Sequence, residues 1–149
     1  MRARAPLRVV SAAFLAGVLV TGIAAPAQAE PTMMEKRLMA RINDAREAHG
    51  VRRLKAGPRL MRAAHRWAVH LRRQDTFRHG RVGPGTSEVI AWGAPCSWMT
   101  PFRAVRLWLN SPPHRSALLD RTARIVGTGW AAGSWRSYRC AELAVARFR

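Results

Sequence analysis

The chain has 149 residues, enough for one domain with its own hydrophobic core and too few for two. Basic residues outnumber acidic residues by 26 to 8, which gives a formal net charge of +18. The arginines are scattered rather than gathered in long runs, and no interleaved aromatic platform accompanies them, so a specific nucleic-acid role is not indicated. The charge instead predicts a loose attraction to an anionic cell envelope.

Residues 1–29 have the pattern of a secretory signal peptide. Three arginines precede a run of 17 uncharged residues, 9–25, and Ala27-Gln28-Ala29 then forms an A-x-A cleavage site. Cleavage there would leave residues 30–149 and lower the formal charge from +18 to +15. The alternative is an uncleaved anchor, because the apolar run is at the short end of a membrane span. We expect a secreted, extracellular domain.

Two cysteines, Cys96 and Cys140, lie outside the predicted signal peptide. Export to an oxidising compartment and an even count favour one disulfide between them. Two separate buried thiols are the alternative. A metal site built on cysteine is disfavoured, because the chain contains no C-x-x-C motif.

The first two predicted elements of the exported part are helices. Thr32 is a suitable N-cap for a helix over 33–49, with Glu35 as its capping-box partner. Pro58 begins a second helix over 58–74, because proline is favoured in a first turn. In both segments the apolar residues recur at helical spacing.

The remainder of the chain predicts a mixture of strands, loops and short helices. In order these are a loop over 75–87, a short strand at 89–92, a helix over 101–111, a helical turn at 114–118, and strands at 125–131 and 138–148 joined across Gly133-Ser134. This order does not repeat the βαβ unit, so we predict an α+β fold. Four tryptophans at element positions are expected in the core: Trp92, Trp108, Trp130 and Trp135.

Four motifs together resemble the bacterial, secreted branch of the CAP superfamily, named for cysteine-rich secretory proteins, antigen 5 and pathogenesis-related proteins. They are Asn43-Asp44-Ala45-Arg46, Phe77-Arg78-His79, Ser87-Glu88-Val89 and Trp108-Leu109-Asn110-Ser111-Pro112-Pro113-His114-Arg115. The resemblance implies that residues 30–149 form one CAP domain. Its fold would be a three-layer α-β-α sandwich with a small, mainly antiparallel sheet.

The same resemblance implies a surface cavity that contains His79, Glu88 and His114, with Asn110 and Ser111 at its rim. Several family members bind a divalent metal in this cavity. Two imidazoles and one carboxylate would form an open zinc site, whose bound water is acidic enough to attack carbonyl or phosphoryl centres. The other interpretation is a purely polar cavity, with neutral histidines hydrogen-bonded to Glu88 and no ion.

Some residues of the motifs depart from the family pattern. Ser111 stands where eukaryotic relatives carry a second acid, so negative charge that would favour a cation is lost. Ser87 and Val89 replace the Gly and Asn that flank the glutamate in the pattern. No complete acid–base pair remains, which favours a role in binding over catalysis.

Two hypotheses for function follow. The first is a monomeric, secreted binding or interaction module with a lipid or protein ligand. The second is a metal-assisted extracellular hydrolase acting on peptide, lipid or cell-wall material at His79, Glu88 and His114. Neither an H-E-x-x-H helix nor a G-x-S-x-G elbow is present in the sequence, which argues against an ordinary metalloprotease or serine hydrolase.

Overall fold

The structure, a computed structural model, describes residues 30–149, and the predicted signal peptide lies outside these residues. Every element predicted from the sequence is present, and one short strand is additional. The elements are α1 (Met33–Ala48), β1 (Lys55–Ala56), α2 (Pro58–Arg73), β2 (Ser87–Gly93), α3 (Pro101–Leu109), α4 (Pro112–Leu118), β3 (Ile125–Trp135) and β4 (Tyr138–Phe148). None of the helices over residues 30–149 has the length and hydropathy needed to cross a membrane.

The four strands form one sheet in the order β1-β3-β4-β2. Strands β3 and β4 are an antiparallel hairpin, β2 adds antiparallel to β4, and β1 pairs in parallel with β3. The sheet is therefore mainly antiparallel, as expected.

The hairpin turn lies further along the chain than the sequence indicated. Strand β3 continues through Gly133-Ser134 and a register shift to Trp135, which pairs with Tyr138. An irregularity of this kind lets a strand bend without ending, so the glycine marks a bulge instead of the turn. The turn itself contains Arg136, whose φ of 51° is left-handed.

Helices cover both faces of the sheet. Strand β4 alternates between the faces, with Leu143 and Val145 in the core beneath α2, and Ala144 and Ala146 in the core beneath α1 and α3. Successive side chains of a strand point to opposite faces, so a strand buried on both sides reads as a continuous apolar run. This arrangement is the α-β-α sandwich.

Helix α2 lies directly on the backbone of β3. A Cβ atom at Gly127 would stand 2.1 Å from the backbone carbon of Leu60, and one at Gly129 would stand 2.1 Å from the carbonyl oxygen of Ala64. Only glycine permits so close an approach. These two positions therefore set the distance between helix and sheet.

The start of α1 is a capping box, as predicted. The backbone N–H of Glu35 donates to Thr32 Oγ1 at 3.3 Å, and the Thr32 N–H donates to Glu35 Oε2 at 2.8 Å. Glu35 is almost fully buried, and its other oxygen lies 2.8 Å from His65 Nδ1 and accepts from the Trp130 N–H at 3.2 Å. One side chain thus joins α1 to α2 and β3.

The Asn43–Arg46 motif of α1 hydrogen-bonds to the loop after α1 and to the chain at the end of α4. Asn43 exchanges two hydrogen bonds with the backbone of Leu54, at 3.0 and 2.8 Å. Arg46 is fully buried, and burial lowers the pKa of its guanidinium. It donates at 2.6 to 3.0 Å to three backbone carbonyls, those of Arg52, Leu118 and Asp120. The motif therefore satisfies loop backbone that would otherwise be buried without partners.

Three of the four tryptophans are buried, as expected. The indole N–H of Trp108 donates to the Ile90 carbonyl, and that of Trp135 donates to the Leu71 carbonyl, both at 3.1 Å. Trp130 is buried as well, whereas Trp92 is partly exposed and packs against Trp135. The tryptophans serve mainly the core.

Cys96 and Cys140 form a disulfide, which confirms the prediction. It joins the loop after β2 to β4, and the Cys96 N–H also donates to the Cys140 carbonyl at 3.0 Å. In the same loop, the Ser97 N–H donates to the carboxylate of Glu142 in β4 at 2.9 Å.

Candidate functional site

His79 and Glu88 form a pair on one side of the sheet. His79 lies in the loop after α2, and Glu88 is the second residue of β2. The His79 Nδ1 atom is 3.1 Å from Glu88 Oε1. The imidazole is 55% exposed, whereas the carboxylate is 1% exposed. An ionised carboxylate only accepts hydrogen bonds, so Nδ1 donates in this contact, and in the neutral form of the ring Nε2 is then the acceptor nitrogen.

Both oxygens of Glu88 are occupied by other partners as well. Oε1 accepts from the Gly80 N–H at 2.8 Å, and Oε2 accepts from Arg147 Nε at 2.8 Å. The Arg147 Nη2 atom is also 2.8 Å from Oε2, so the contact between the two side chains is a close ion pair. The negative charge of the carboxylate is thereby balanced by Arg147, and the carboxylate is held in place beside His79.

Gly80 is required by this packing. A Cβ atom at Gly80 would stand 2.6 Å from Arg147 Nη2 and 2.9 Å from the Trp67 ring. The glycine after His79 therefore allows its backbone to approach the ion pair closely enough to donate to Glu88.

His114 lies opposite His79. It is the third residue of α4, and the centroids of the two imidazole rings are 6.3 Å apart, at an interplanar angle of 45°. Partial burial lowers the pKa of His114, and the nearby His79 lowers it further. His114 is therefore neutral at neutral pH, when its ring has one nitrogen that can accept a hydrogen bond.

Asn110 and Ser111, the expected rim residues, form the junction between α3 and α4. Asn110 ends α3 and is exposed, and Ser111 is the N-cap of α4 without a side-chain capping bond. Within residues 30–149, neither side chain hydrogen-bonds to the two histidines or to Glu88. Both residues lie close to His114 along the chain, and their place at a cavity rim stays a prediction.

These residues do not fit the three-ligand zinc site considered from the sequence. Among residues 30–149, no group of three His, Cys, Asp or Glu side chains is placed to hold a metal ion. The reason lies in Arg147 and Gly80, which take the lone pairs that Glu88 would need for a cation. The groups left for a ligand are the two imidazole rings, of which His79 is held by Glu88. These rings can form hydrogen bonds.

Arg147 was missed by the sequence reasoning. It is 59 residues from Glu88 and becomes its neighbour only through strand pairing, in which Glu88 stands directly opposite Arg147. One signal in the sequence could have indicated it. Arg147 is a charged residue in the apolar run of β4, and a buried charge needs a partner of opposite charge.

A second carboxylate–imidazole pair was also missed. The Glu35 and His65 pair lines a separate cavity of about 440 Å³ together with Met61 and Pro31. In the sequence, Glu35 already had a role as a helix cap and His65 had no partner nearby. Only the packing of both helices against β3 brings them together.

The comparisons with known proteins agree with this fold. The chain matches the family model described as the cysteine-rich secretory protein family, or CAP, over residues 39–146. Because the match spans well over half of the chain, the protein belongs to the CAP family. No curated protein matches the chain.

Solved structures show the same fold at low identity. An outer surface protein from Borrelia burgdorferi is 22% identical, with a TM-score of 0.63, over 80% of this chain and 94% of that one. The protein MpPR-1i is 16% identical, with a TM-score of 0.58, over 81% and 90%. A cysteine-rich secretory protein from Staphylococcus aureus is 17% identical, with a TM-score of 0.50, over 77% of this chain and 37% of that one. At these identities the likeness establishes the fold alone.

Proposed function

We propose that this chain is an extracellular CAP-domain binding module, and that its ligand site is the surface around the neighbouring rings of His79 and His114. One observation carries the proposal. The carboxylate of Glu88 is buried and accepts from Arg147 and Gly80 beside His79 Nδ1, which supports a positioning role for it at this imidazole.

The proposed extracellular location has four supports. The first 29 residues have a signal-peptide pattern, and the domain contains a disulfide, which persists in oxidising compartments. Among the similar structures are an outer surface protein and a cysteine-rich secretory protein. A protein of net charge +15 after cleavage would also be retained near an anionic envelope.

The two imidazoles define what the ligand must offer. With Nδ1 of His79 directed at Glu88 and His114 neutral, each neutral ring retains one nitrogen that can accept a hydrogen bond from a ligand. The matching groups are hydroxyl or amide hydrogens, which a lipid-like alcohol or an extended peptide would supply. A ligand bound through these hydrogen bonds would not require a metal ion.

The hydrolase alternative receives no support from the side chains. Hydrolysis needs a nucleophile activated by a neighbouring base, or a metal-bound water. Within residues 30–149, neither His79 nor His114 has a Ser, Thr or Cys side chain within hydrogen-bond distance. His79 resembles the oriented base of a triad, but its partner nucleophile is missing.

Histidine ring resonances measured by NMR test the proposal. The ligands are a sterol in detergent micelles and an unstructured peptide, each compared with micelles or buffer alone. We expect a saturable shift of the His79 and His114 resonances with one of them, and no binding to the His79→Gln/His114→Gln variant. The His49→Gln variant is the matched control, since His49 is exposed at the end of α1.

A hydrolysis screen with ester, peptide and cell-wall substrates, with and without chelator, tests the alternative. Turnover that the wild type shows and the double histidine variant lacks would replace the binding module by an enzyme. Binding of both ligands with equal affinity by wild type and double variant would place the ligand site elsewhere.

A further inference from the structure

A larger cavity, of about 630 Å³, lies beside the His79 and Glu88 site and is walled by arginines. It is formed by the start of α2, the loop before β2, and the ends of β3 and β4. We name it the arginine cavity. Its basic wall consists of Arg59, Arg62, Arg81, Arg147 and Arg149.

Three of the five arginines in this wall have no ion-pair partner within residues 30–149. No acidic side chain from residues 30–149 lines the cavity. Arg147 is paired with Glu88, whereas Arg59, Arg81 and Arg149 make no side-chain hydrogen bond or ion pair within residues 30–149. Guanidinium groups gathered around a concavity without carboxylates repel one another, and an anion entering the cavity relieves that repulsion.

The remaining wall is apolar. Leu60, Val82 and Ile125 line the cavity between the arginines. The start of α2 also contributes, because Gly57 provides no side-chain cap and no acidic residue occupies the first turn of this 16-residue helix. The positive end of the helix dipole therefore adds to the field of the arginines.

We propose that the arginine cavity binds a ligand in which a doubly charged phosphate group is joined to an apolar moiety. The planar fork of arginine matches phosphate oxygens in pairs, and several unpaired guanidiniums favour a doubly charged group over a single carboxylate. The volume exceeds the need of one phosphate, and the apolar wall would contact the remainder of the ligand. This site is separate from the one between His79 and His114, although Arg147 borders both.

Calorimetric titration at about 150 mM salt tests the site with three probes, since surface attraction is largely screened at that ionic strength. The probes are pyrophosphate, a short-chain phosphatidic acid below its micelle concentration, and the matched short-chain phosphatidylcholine. The variant is Arg59→Gln/Arg81→Gln. Its control is Arg37→Gln/Arg139→Gln, which removes the same charge from exposed positions outside the cavity.

We expect phosphatidic acid to bind with 1:1 stoichiometry and the phosphatidylcholine not to bind. Each lost charge-assisted contact should weaken binding about 10-fold, so the cavity variant should bind about 100-fold more weakly and the control variant should be unchanged. Pyrophosphate binding as tight as that of phosphatidic acid, with the same arginine dependence, would contradict the role of the apolar moiety and identify a soluble phosphate as the ligand. Binding of phosphatidic acid alone would identify a lipid headgroup.

Two results would overturn the proposal. One is the absence of binding by both phosphate probes. The other is an equal loss of binding in the cavity variant and the control variant, which would reduce the effect to net charge. The melting temperatures of both variants should match that of the wild type, because the substituted side chains are partnerless or exposed.

Discussion

Glu88 and Arg147 stand directly opposite each other on neighbouring antiparallel strands, and their side chains meet in a buried ion pair with contacts of 2.8 Å. The pair lies where the sheet supports the loop of His79. A charged pair in this position is costly to desolvate and stabilises only while both members are present. Because Glu88 also contacts His79, the ion pair in the sheet holds the exposed His79 ring in place.

Replacing Glu88 by Gln should destabilise the protein by about 3–5 kcal/mol, because Arg147 would be left buried without its counter-charge. His79→Gln should lose less than about 1 kcal/mol, since its ring is 55% exposed. Urea unfolding measures both. Equal losses in the two variants would mean that His79, and not the ion pair, holds the loop.

Stability should decline as the pH falls below about 6.5, the ordinary pKa of histidine. Burial lowers the pKa of folded His114, so the unfolded chain takes up the proton first and unfolding is favoured between the two values. Below the folded pKa the effect should level off. The His114→Gln variant should lack this part of the pH dependence in urea unfolding from about pH 7.5 to about pH 5, and a slope identical to the wild type would contradict the assignment.

Trp108→Ala should destabilise by about 3–5 kcal/mol, because a fully buried indole leaves a cavity. The same substitution also leaves the Ile90 carbonyl without its donor. His114→Ala is the control, and its loss should be much smaller. If both variants lose the same large amount, His114 is a core residue and the surface between the histidines is not a ligand site.

Zinc at micromolar concentration should leave the melting temperature at about pH 7.5 unchanged. A ligand that binds only the native state stabilises it by mass action, but two imidazoles without a free carboxylate offer a weak site. Thermal unfolding with and without chelator measures the effect. A rise that disappears in the His79→Gln/His114→Gln variant, and persists in His49→Gln, would restore the metal site.

Removing the disulfide through Cys96→Ser/Cys140→Ser should cost about 4 kcal/mol, because the bridge closes a loop between residues 44 apart. Chemical denaturation of the oxidised wild type and the variant measures the difference. An unchanged stability would indicate that the hairpin and the loop of Ser97 are held by packing alone.

Much of the fold was predictable because its signals are local. The capping box at Thr32, the proline starts of α2 and α3 and the apolar run of β4 each depend on residues within a few positions. Strand β1 was not predicted because it has only two residues, both exposed, which is too short to show the alternation of apolar and polar residues typical of a strand. The hairpin turn was misplaced because a glycine within a bulge has the same composition as a turn glycine.

The candidate site was predictable only in part, for a different reason. His79, Glu88 and His114 lie in recognisable motifs, whereas the state of Glu88 depends on Arg147, which is distant in sequence. A motif identifies which groups converge. It does not show which long-range partner takes their lone pairs, and that decides between a metal ligand and a positioning group.

The contact between α2 and the glycines of β3 has a mechanical consequence. The start of α2 carries Arg59 and Leu60, its middle carries His65, and the strand beside β3 carries Arg147. Because backbone meets backbone at Gly127 and Gly129, the helix has no compressible side-chain layer on which to slide. Helix and hairpin therefore behave as one rigid frame, and a methyl group added at Gly127 would displace the walls of two cavities at once.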